Sequence, residues 1–575
     1  MRSVTKRISK SFLCVALLAP AFLASAQYRT RDLIARVAVA PYDGAVEGLR
    51  DDLKKETNDL EALYCLSIVH AQRGEIDRAM ACVREAIDAG LPFGRFLAGP
   101  RELLRPLTES AEFRELSEKH RIEFLHGPLL GCVTDSSAQF WVRTVTEVPV
   151  QVFVSESEQM ESPIKSTVAS TSRDRDFTSV VAVRGLKPDT KYHYELSLAE
   201  KKQPKRWSFR TFPVVGAKAK FRIGFGGGAA HILEHERMWN TIVTHDLLGF
   251  LFLGDNVYID HPDIPAAQQY CYYRRQCRPE FRRFTASTSI YAIWDDHDFA
   301  TNDSWGGPEI NKPEWKIPVW QLFRDNWNNP YYGGGESQPG CWFDFSIGDV
   351  DFFMLDGRYY RTDPKTSNPS MLGPAQKEWL FKKLKSSRAT FKVLASPVPW
   401  AFGAKPGSLD KWNGFKEERE EVFSFLEENK IDGVILLSAD RHRSEAWKIE
   451  RDNGYTLYEF ESSKLTNAHT HELMAGALFG YNAKCSFGLL SFDTTKPDPE
   501  VTYQIISIDD EVVYTLSLRK SQLTHKKGVS ARSRRTPHTT QRPRGYWFAL
   551  DTGEVSVQRA MCQTDENRRG NHGVR

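Results

Sequence analysis

The chain has 575 residues, 41% of them hydrophobic, and a formal net charge of +3. That length exceeds one domain, and that apolar content suffices for packed cores. The balanced charge gives no reason to expect a nucleic-acid or membrane-surface partner. Only the end is uneven: residues 521–575 carry 11 Lys and Arg against 4 Asp and Glu, a net of +7.

Arg2, Lys6, Arg7 and Lys10 precede an apolar run, Phe12–Leu23, and then Ala24-Ser25-Ala26. Charge, apolar core and small-residue cleavage site in that order read as a secretory signal peptide over residues 1–26. The run is too short to span a bilayer, and no later stretch is long and apolar enough. The expected mature protein is exported and soluble, periplasmic or extracellular; the alternative is an uncleaved anchor. Nine cysteines are present, and Cys14 leaves with the signal. The other eight form no C-x-x-C. Cys271/Cys277 and Cys65/Cys82 are possible disulfides in an oxidising compartment, and free buried thiols are the equal alternative.

Residues 27–125 read as helical. Leu63, Leu66 and His70 share one helix face, Gly74 breaks it, Ala79, Val83 and Ala86 share the next, and Pro92 ends it. Small residues where two helices cross resemble one tetratricopeptide repeat, with a degenerate second unit in Arg101–His120. Three repeats are usually needed for a free-standing solenoid. The expectation is a short all-α segment packed on its neighbour, either a site for a protein partner or a structural prefix.

Residues 126–214 change period. Ala138–Thr144 and Val148–Val154 alternate as strands do. Leu186-Lys-Pro-Asp-Thr-Lys-Tyr192 resembles the tyrosine corner of fibronectin type III-like sandwiches, so a small β-sandwich is expected, without chemistry of its own. Over residues 218–520 short apolar runs recur: Phe221–Phe225, Leu248–Leu253, Ile290–Trp294, Val350–Leu355, Phe391–Ala395, Val434–Leu437 and Tyr455–Tyr458. They read as strands covered on both faces. Helices are expected between them at His235–Asp246, Ala375–Ser387 and Lys416–Asn429, giving a layered α/β domain. Residues 521–575 lack apolar periodicity and read as a basic disordered tail.

In such folds polar sites gather at the carboxyl ends of strands. Here four apolar runs end in chemistry-bearing residues. One delivers Gly254-Asp255 and then Tyr258. One ends in Asp295-Asp296-His297-Asp298, with Asn302 beyond. One ends in Asp356-Gly-Arg358, and one in Asp440-Arg441-His442. Carboxylates this close repel unless a cation sits among them. The donors are oxygen with some imidazole and no thiolate. That suits calcium, manganese, iron or a mixed pair better than structural zinc. A dinuclear centre near an arginine suits hydrolysis of phosphate esters: the metals generate hydroxide near neutral pH, arginine forks onto phosphoryl oxygens, and histidine protonates the leaving alkoxide.

The segments FRIGFGGGAA, FLGDNVY, IWDDHDFATND, MLDGRYYR, MLGPAQKEWL, LLSADRH and LYEFESSKLTN, in this order over about 300 residues, resemble the PhoD-like alkaline phosphatases among the calcineurin-like metallophosphoesterases. The preceding sandwich resembles that family's N-terminal domain; the helical prefix is not part of the usual pattern. The resemblance implies an α/β/β/α sandwich, a small phosphate-ester substrate, hydrolysis outside the cytoplasm, and calcium with or without ferric iron. By motif position it makes Asp255 the bridging ligand and Tyr258 an iron ligand, with Asp296, Asn302, Asp440 and His442 completing the metal shells. It makes His297 the leaving-group acid, Arg358 the phosphate binder, and Asp295, Asp298 and Asp356 supports. Two positions depart. Gly228 stands where a ligating cysteine is usual after Gly-Ser, with His231 nearby as a substitute, and Ala439 replaces a glycine. The other reading is a metal-stabilised, catalytically degenerate binding protein.

Overall fold

The computed structural model describes residues 32–39, 42–55 and 59–526. The expected signal peptide and the tail beyond residue 526 lie outside them. Among the described residues no helix is long and apolar enough to cross a membrane.

The chain opens with a helical segment. Asp59 caps the helix Leu60–Gln72, its carboxylate accepting the backbone N–H groups of Glu61 and Ala62 at 3.1 and 3.0 Å. This helix is buried continuously from Ala62 to Ala71, not on the single face expected, because its sequence is apolar nearly all round. Gly74, at φ 75°, turns the chain into Ile76–Asp88. That helix buries only Ala79, Met80, Val83 and Ala86, the spacing of one helical stripe. The next helices, Gly94–Ala98, Arg101–Thr108 and Ala111–His120, have 5, 8 and 10 residues. The hairpin is therefore not followed by a second of equal length.

Two antiparallel sheets follow. One holds Phe124–Gly131, Ser137–Thr144 and Thr178–Arg184; the other is built on Pro149–Ser155, Lys191–Leu198 and Lys201–Arg210. Phe140 of the first packs on Tyr194 and Phe209 of the second, with ring centroids 4.5 and 5.6 Å apart. The Tyr192 hydroxyl accepts the backbone N–H of Lys187 at 2.9 Å, fastening the connection that the tyrosine-corner pattern marks.

The largest part stacks two mixed sheets face to face. The first runs, edge to edge, Ser289–Ile293, Gly249–Leu253, Lys220–Gly226, Ser486–Asp493, Glu500–Ser507, Val512–Arg519. The second runs Phe343–Ile347, Val350–Met354, Phe391–Ala395, Val434–Ser438, Leu457–Ser462, Ser444–Ile449, Phe479–Tyr481. Tyr291 stacks on Phe345 at 3.8 Å and Phe460 on Tyr503 at 4.2 Å across the interface. Trp239 and Phe284 press from helices onto Phe252 and Phe250 of the first sheet. Trp379 presses from the helix Gly373–Ser386 onto Phe353 of the second. Helix, sheet, sheet and helix thus form four layers. The parallel strands Gly249–Leu253 and Ser289–Ile293 end on the same side, as do Val350–Met354, Phe391–Ala395 and Val434–Ser438. A bridge from Gly227 to Ser463 joins the two sheets there.

Three helices were not expected: Pro265–Gln276, Pro279–Ser287 and Lys316–Asn326. The first buries Gln268, Arg274 and Arg275 beside its apolar residues, so its sequence has no clean stripe. The packed chain also runs past residue 520: Leu523 is fully buried and its carbonyl accepts the Gly433 N–H at 2.7 Å. Cys65, Cys82 and Cys277 are free thiols, so neither pairing expected from the sequence is formed.

The helical prefix is fastened to the layered part by buried charge. Arg95 donates twice to Glu61, at 2.9 and 2.8 Å, and the Tyr270 hydroxyl donates to the same carboxylate at 2.6 Å. Against the effect of burial, Arg95 holds the Glu61 carboxyl down at about 2. Removing one partner leaves the other charge stranded. Arg95→Ala is expected to cost about 3–5 kcal/mol, seen as a lower denaturant midpoint. The double variant Glu61→Leu/Arg95→Leu should recover most of that loss.

Candidate metal centre

The strand Gly249–Leu253 ends in Gly254, at φ 102°. A Cβ there would lie 2.4 Å from the Asp295 Cβ. Only glycine lets these two strand ends close together. Asp255 follows at φ 53°, 3% exposed, and its Oδ1 is buried without a hydrogen-bond partner. Tyr258 turns back at φ 54°. Its hydroxyl lies 3.0 Å from His442 Nε2 and accepts the Asn467 amide N–H at 2.7 Å. His442 Nε2 lies 3.8 Å from Asp255 Oδ2.

The strand Ser289–Ile293 delivers the acidic cluster. Asp296 starts a short helix, Asp296–Phe299. Its two oxygens accept the backbone N–H groups of His297 and Asp303 at 2.9 and 2.7 Å. Asp255, Asp296 and His297 each offer a ligand atom within 4.8 Å of the others. Asp296, Asp303 and Asp410 form a second such group. His297 Nδ1 lies 2.5 Å from Asp260 Oδ1, and its ring sits 4.9 Å from that of Tyr258. Asp440 stands at the rim, its Oδ2 3.4 Å from Lys405 Nζ and 3.9 Å from Arg441 Nη1.

Asp298 accepts the backbone N–H groups of Asn256 and Val257 at 2.8 and 2.9 Å. It thereby sets the loop that carries Asp255 and Tyr258. Asp356 accepts from Trp294 Nε1 and from the backbone N–H groups of Arg358 and Cys341, at 2.8, 2.8 and 2.9 Å. Two placements differ from the sequence reading. Asn302 is exposed, and no side-chain hydrogen bond joins it to the other site residues. Arg358 is fully buried. Its Nε donates to Asp295 at 2.5 Å, its Nη1 to Asp410 and the Ser304 carbonyl at 2.8 and 3.0 Å, and its Nη2 to Asp410 at 3.2 Å. These four bonds hold the guanidinium between Asp295 and Asp410.

Gly228 has φ 68°, and a Cβ there would lie 2.8 Å from the Lys464 backbone N and 3.0 Å from Ser463 Oγ. The space of the expected thiolate is closed by backbone. His231 does not take its place among the grouped donors: its Nε2 is buried without a partner. Burial, then Arg274 and Arg275, push its pKa well below the ordinary imidazole value. Ala439 packs where a Gly227 side chain would go, 2.7 Å from the ideal Cβ.

Burial, then Asp296 and Asp440, push Asp255 up to about 7, opposed by His297. Burial, then Asp255, push Asp298 up to about 7. Burial, then His469, push His442 down to about 3. Asp255 Oδ1, Asp295 Oδ2 and His442 Nδ1 are all buried without hydrogen-bond partners. Buried polar atoms are normally paired, and oxygen and imidazole atoms left open in one cleft fit a cation. Asp260, Asp303, Lys405, Asp410, Arg441 and Asn467 escaped the sequence reading. Asp303, Arg441 and Asn467 lay within motif segments; Asp260, Lys405 and Asp410 sit on loops with no periodic signal.

Stacked mixed sheets with acidic and imidazole side chains at their strand ends define a metallophosphatase-like fold. Residues 228–485 match the PhoD-like phosphatase model. Residues 121–214 match a domain of unknown function, DUF7800. Alkaline phosphatase D of Bacillus subtilis (strain 168) is 25% identical over 374 residues, 56% of this chain and 62% of that protein. A solved structure of PhoD has a TM-score of 0.61 at 17% identity, covering 72% of this chain and 94% of that one. A purple acid phosphatase from yellow lupin seeds has a TM-score of 0.49 at 12% identity, covering 69% and 74%.

The raised carboxyls predict a pH dependence for the metal-free protein. A carboxyl whose folded pKa exceeds its unfolded value stabilises the fold at low pH and loses that contribution as pH rises through the folded value. Asp255 and Asp298, both at about 7, should therefore make the chelator-treated protein less thermally stable between about pH 4 and 7. A cation bound by Asp255 should remove the Asp255 share of that decline in melts of the reloaded protein.

Proposed function

We propose that the chain is an exported, metal-dependent phosphoric ester hydrolase. The observation that carries this is the orphaned, buried Asp255 Oδ1 at a strand end, facing Asp296, His297 and His442 in a PhoD-like domain. Asp255, Tyr258, Asp296, Asp440 and His442 would hold the cations, calcium with or without ferric iron. A cation held there supplies Lewis-acid neutralisation of phosphoryl charge and acidifies water. The substrate is a small phosphate ester. Residues 1–26 supply export. Asp255, Asp296, His297 and His442 lie together, which disfavours a degenerate binding protein.

The side chains divide the remaining work. Asp260 fixes His297 through Nδ1, and the oriented imidazole would pass a proton to the leaving alkoxide. Arg441, with its Nε buried and unpartnered, and Lys405, half withdrawn among Asp303, Asp410 and Asp440, supply positive charge at the rim. They take the part that the resemblance implies for Arg358. Arg358 positions Asp295 and Asp410 instead. Asn302 stands outside the assembled set.

The full chain should hydrolyse nitrophenyl phosphate or its bis ester after loading with calcium, iron, manganese or zinc. No turnover with any of them would sink the hydrolase reading. His297→Ala should lose about 10²–10⁴-fold in kcat, and Asp260→Asn, which loosens the hold on Nδ1, should lower kcat by less. Arg441→Ala should lose about 10-fold or more in kcat/KM, the worth of one charged hydrogen bond. An unchanged kcat/KM would remove Arg441 from the phosphate site. Arg358→Ala should instead reduce bound metal and thermal stability together.

A further inference from the structure

A second kind of donor set meets the centre at His442. After the strand Leu457–Ser462 the chain continues to Asn467, whose Oδ1 accepts the His469 backbone N–H at 2.9 Å. That turn brings His469 and His471 beside His442. Ring centroids lie 5.1 Å apart for His442 and His469, 5.4 Å for His442 and His471, and 4.6 Å for His469 and His471. Each ring offers a nitrogen within 4.8 Å of the others.

The loop is tied in place. Thr470 Oγ1 donates to the His442 carbonyl at 3.2 Å, and the Asn482 amide donates to the His471 carbonyl at 2.9 Å. His442 is 6% exposed, and its Nδ1 has no hydrogen-bond partner. His469 is exposed and His471 half-buried, so the group opens to solvent. Three gathered imidazoles, one of them buried with an idle nitrogen, have no packing role that apolar residues would not fill better. Arg441 lies near and opposes a cation, but the Asp440 carboxylate 3.9 Å from it offsets its charge.

Donor chemistry separates this group from the centre beside it. Carboxylate and phenol oxygens suit calcium and ferric iron, whereas imidazole suits zinc, copper and nickel. We propose that His442, His469 and His471 form a site for an imidazole-preferring divalent cation of the zinc class, with a coordination position open to solvent. Binding needs only the three imidazoles. The sharing of His442 with the catalytic centre rests on the function proposed above, and makes occupancy by zinc a means of altering that centre.

The full chain, stripped with chelator and reloaded with calcium and iron, is titrated with Co²⁺ and then Zn²⁺. Visible Co²⁺ absorption and bound metal per chain are read. Wild type should bind one more Co²⁺ per chain than His469→Ala/His471→Ala, show a nitrogen-ligated absorption band that the variant lacks, and release the Co²⁺ to Zn²⁺. Each single variant should weaken binding about 10-fold or more. Equal stoichiometry, affinity and spectra in wild type and double variant would overturn the proposal. Matching melting curves without metal establish that the variants fold; if the double variant melts early, the exposed His469→Ala variant decides alone. A phosphatase assay on the same samples separates the two readings: turnover without extra Co²⁺ binding removes this site only, and Co²⁺ binding without turnover removes the hydrolase reading only.

Discussion

The buried guanidinium of Arg358 is the interaction on which the cleft depends. It ties together three loops that follow different strands or none. Asp295 comes from the end of Ser289–Ile293, Arg358 from the end of Val350–Met354, and Asp410 from a long loop after Phe391–Ala395. Asp410 also meets Arg361 at 2.8 Å and Lys405 at 3.5 Å. Arg358 and Arg361 hold the Asp410 carboxyl well below the ordinary range in spite of its burial. A buried charge without its partner is costly, so none of these groups can leave to follow a substrate. An arginine in this position therefore fixes the geometry of the acids. In the proposed hydrolase, the charge that meets a phosphoryl group is assigned to Lys405 and Arg441 nearer the rim.

The same closeness explains the departures in the glycine-rich loop. Gly227 and Gly228 lie where the two sheets join through Gly227 and Ser463. Lys464 and Leu465 both donate backbone N–H groups to the Gly227 carbonyl at 3.1 Å. Restoring a cysteine at residue 228 would push its Cβ against the Lys464 backbone, at a φ that side chains rarely adopt. The alanine at 439 sits against Gly227 in a complementary way: one position carries the methyl group that the other lacks. Gly228 thus belongs to a tightly packed joint, and the donors gathered in the cleft are oxygen and imidazole.

Much of this was legible in the sequence. The apolar runs mark strands because a buried parallel strand must be apolar on both faces, and the Asp and His residues after Leu253, Trp294 and Ser438 stand at strand ends as that pattern requires. The antiparallel strands Ser486–Asp493, Glu500–Ser507 and Val512–Arg519 were not foreseen. The last of them alternates only weakly, being an edge of its sheet. Arg358 stands at a strand end, and sequence order does not reveal that Asp410, 52 residues later, returns to it. Asp260 and Lys405 were invisible for the same reason: loop residues become chemical only through contacts across the chain. The fibronectin and tetratricopeptide likenesses identified a fastening tyrosine and one helical hairpin, and neither pattern reports what those modules touch.

The two donor classes now have separate origins. The oxygen donors come from strand ends that the layered fold must bring together. His469 and His471 come from a loop beyond the last parallel strand, held by Asn467, whose amide also reaches Tyr258. Asn467 thus binds the phenol of one donor set and the backbone of the other. His442 belongs to both: its Nε2 faces Tyr258 and Asp255, and its ring packs against His469 and His471. A change in the loop is therefore a change in the imidazole that the oxygen-rich centre uses. The surface histidines are coupled to the cleft through one ring and one amide, with no movement of the sheets required.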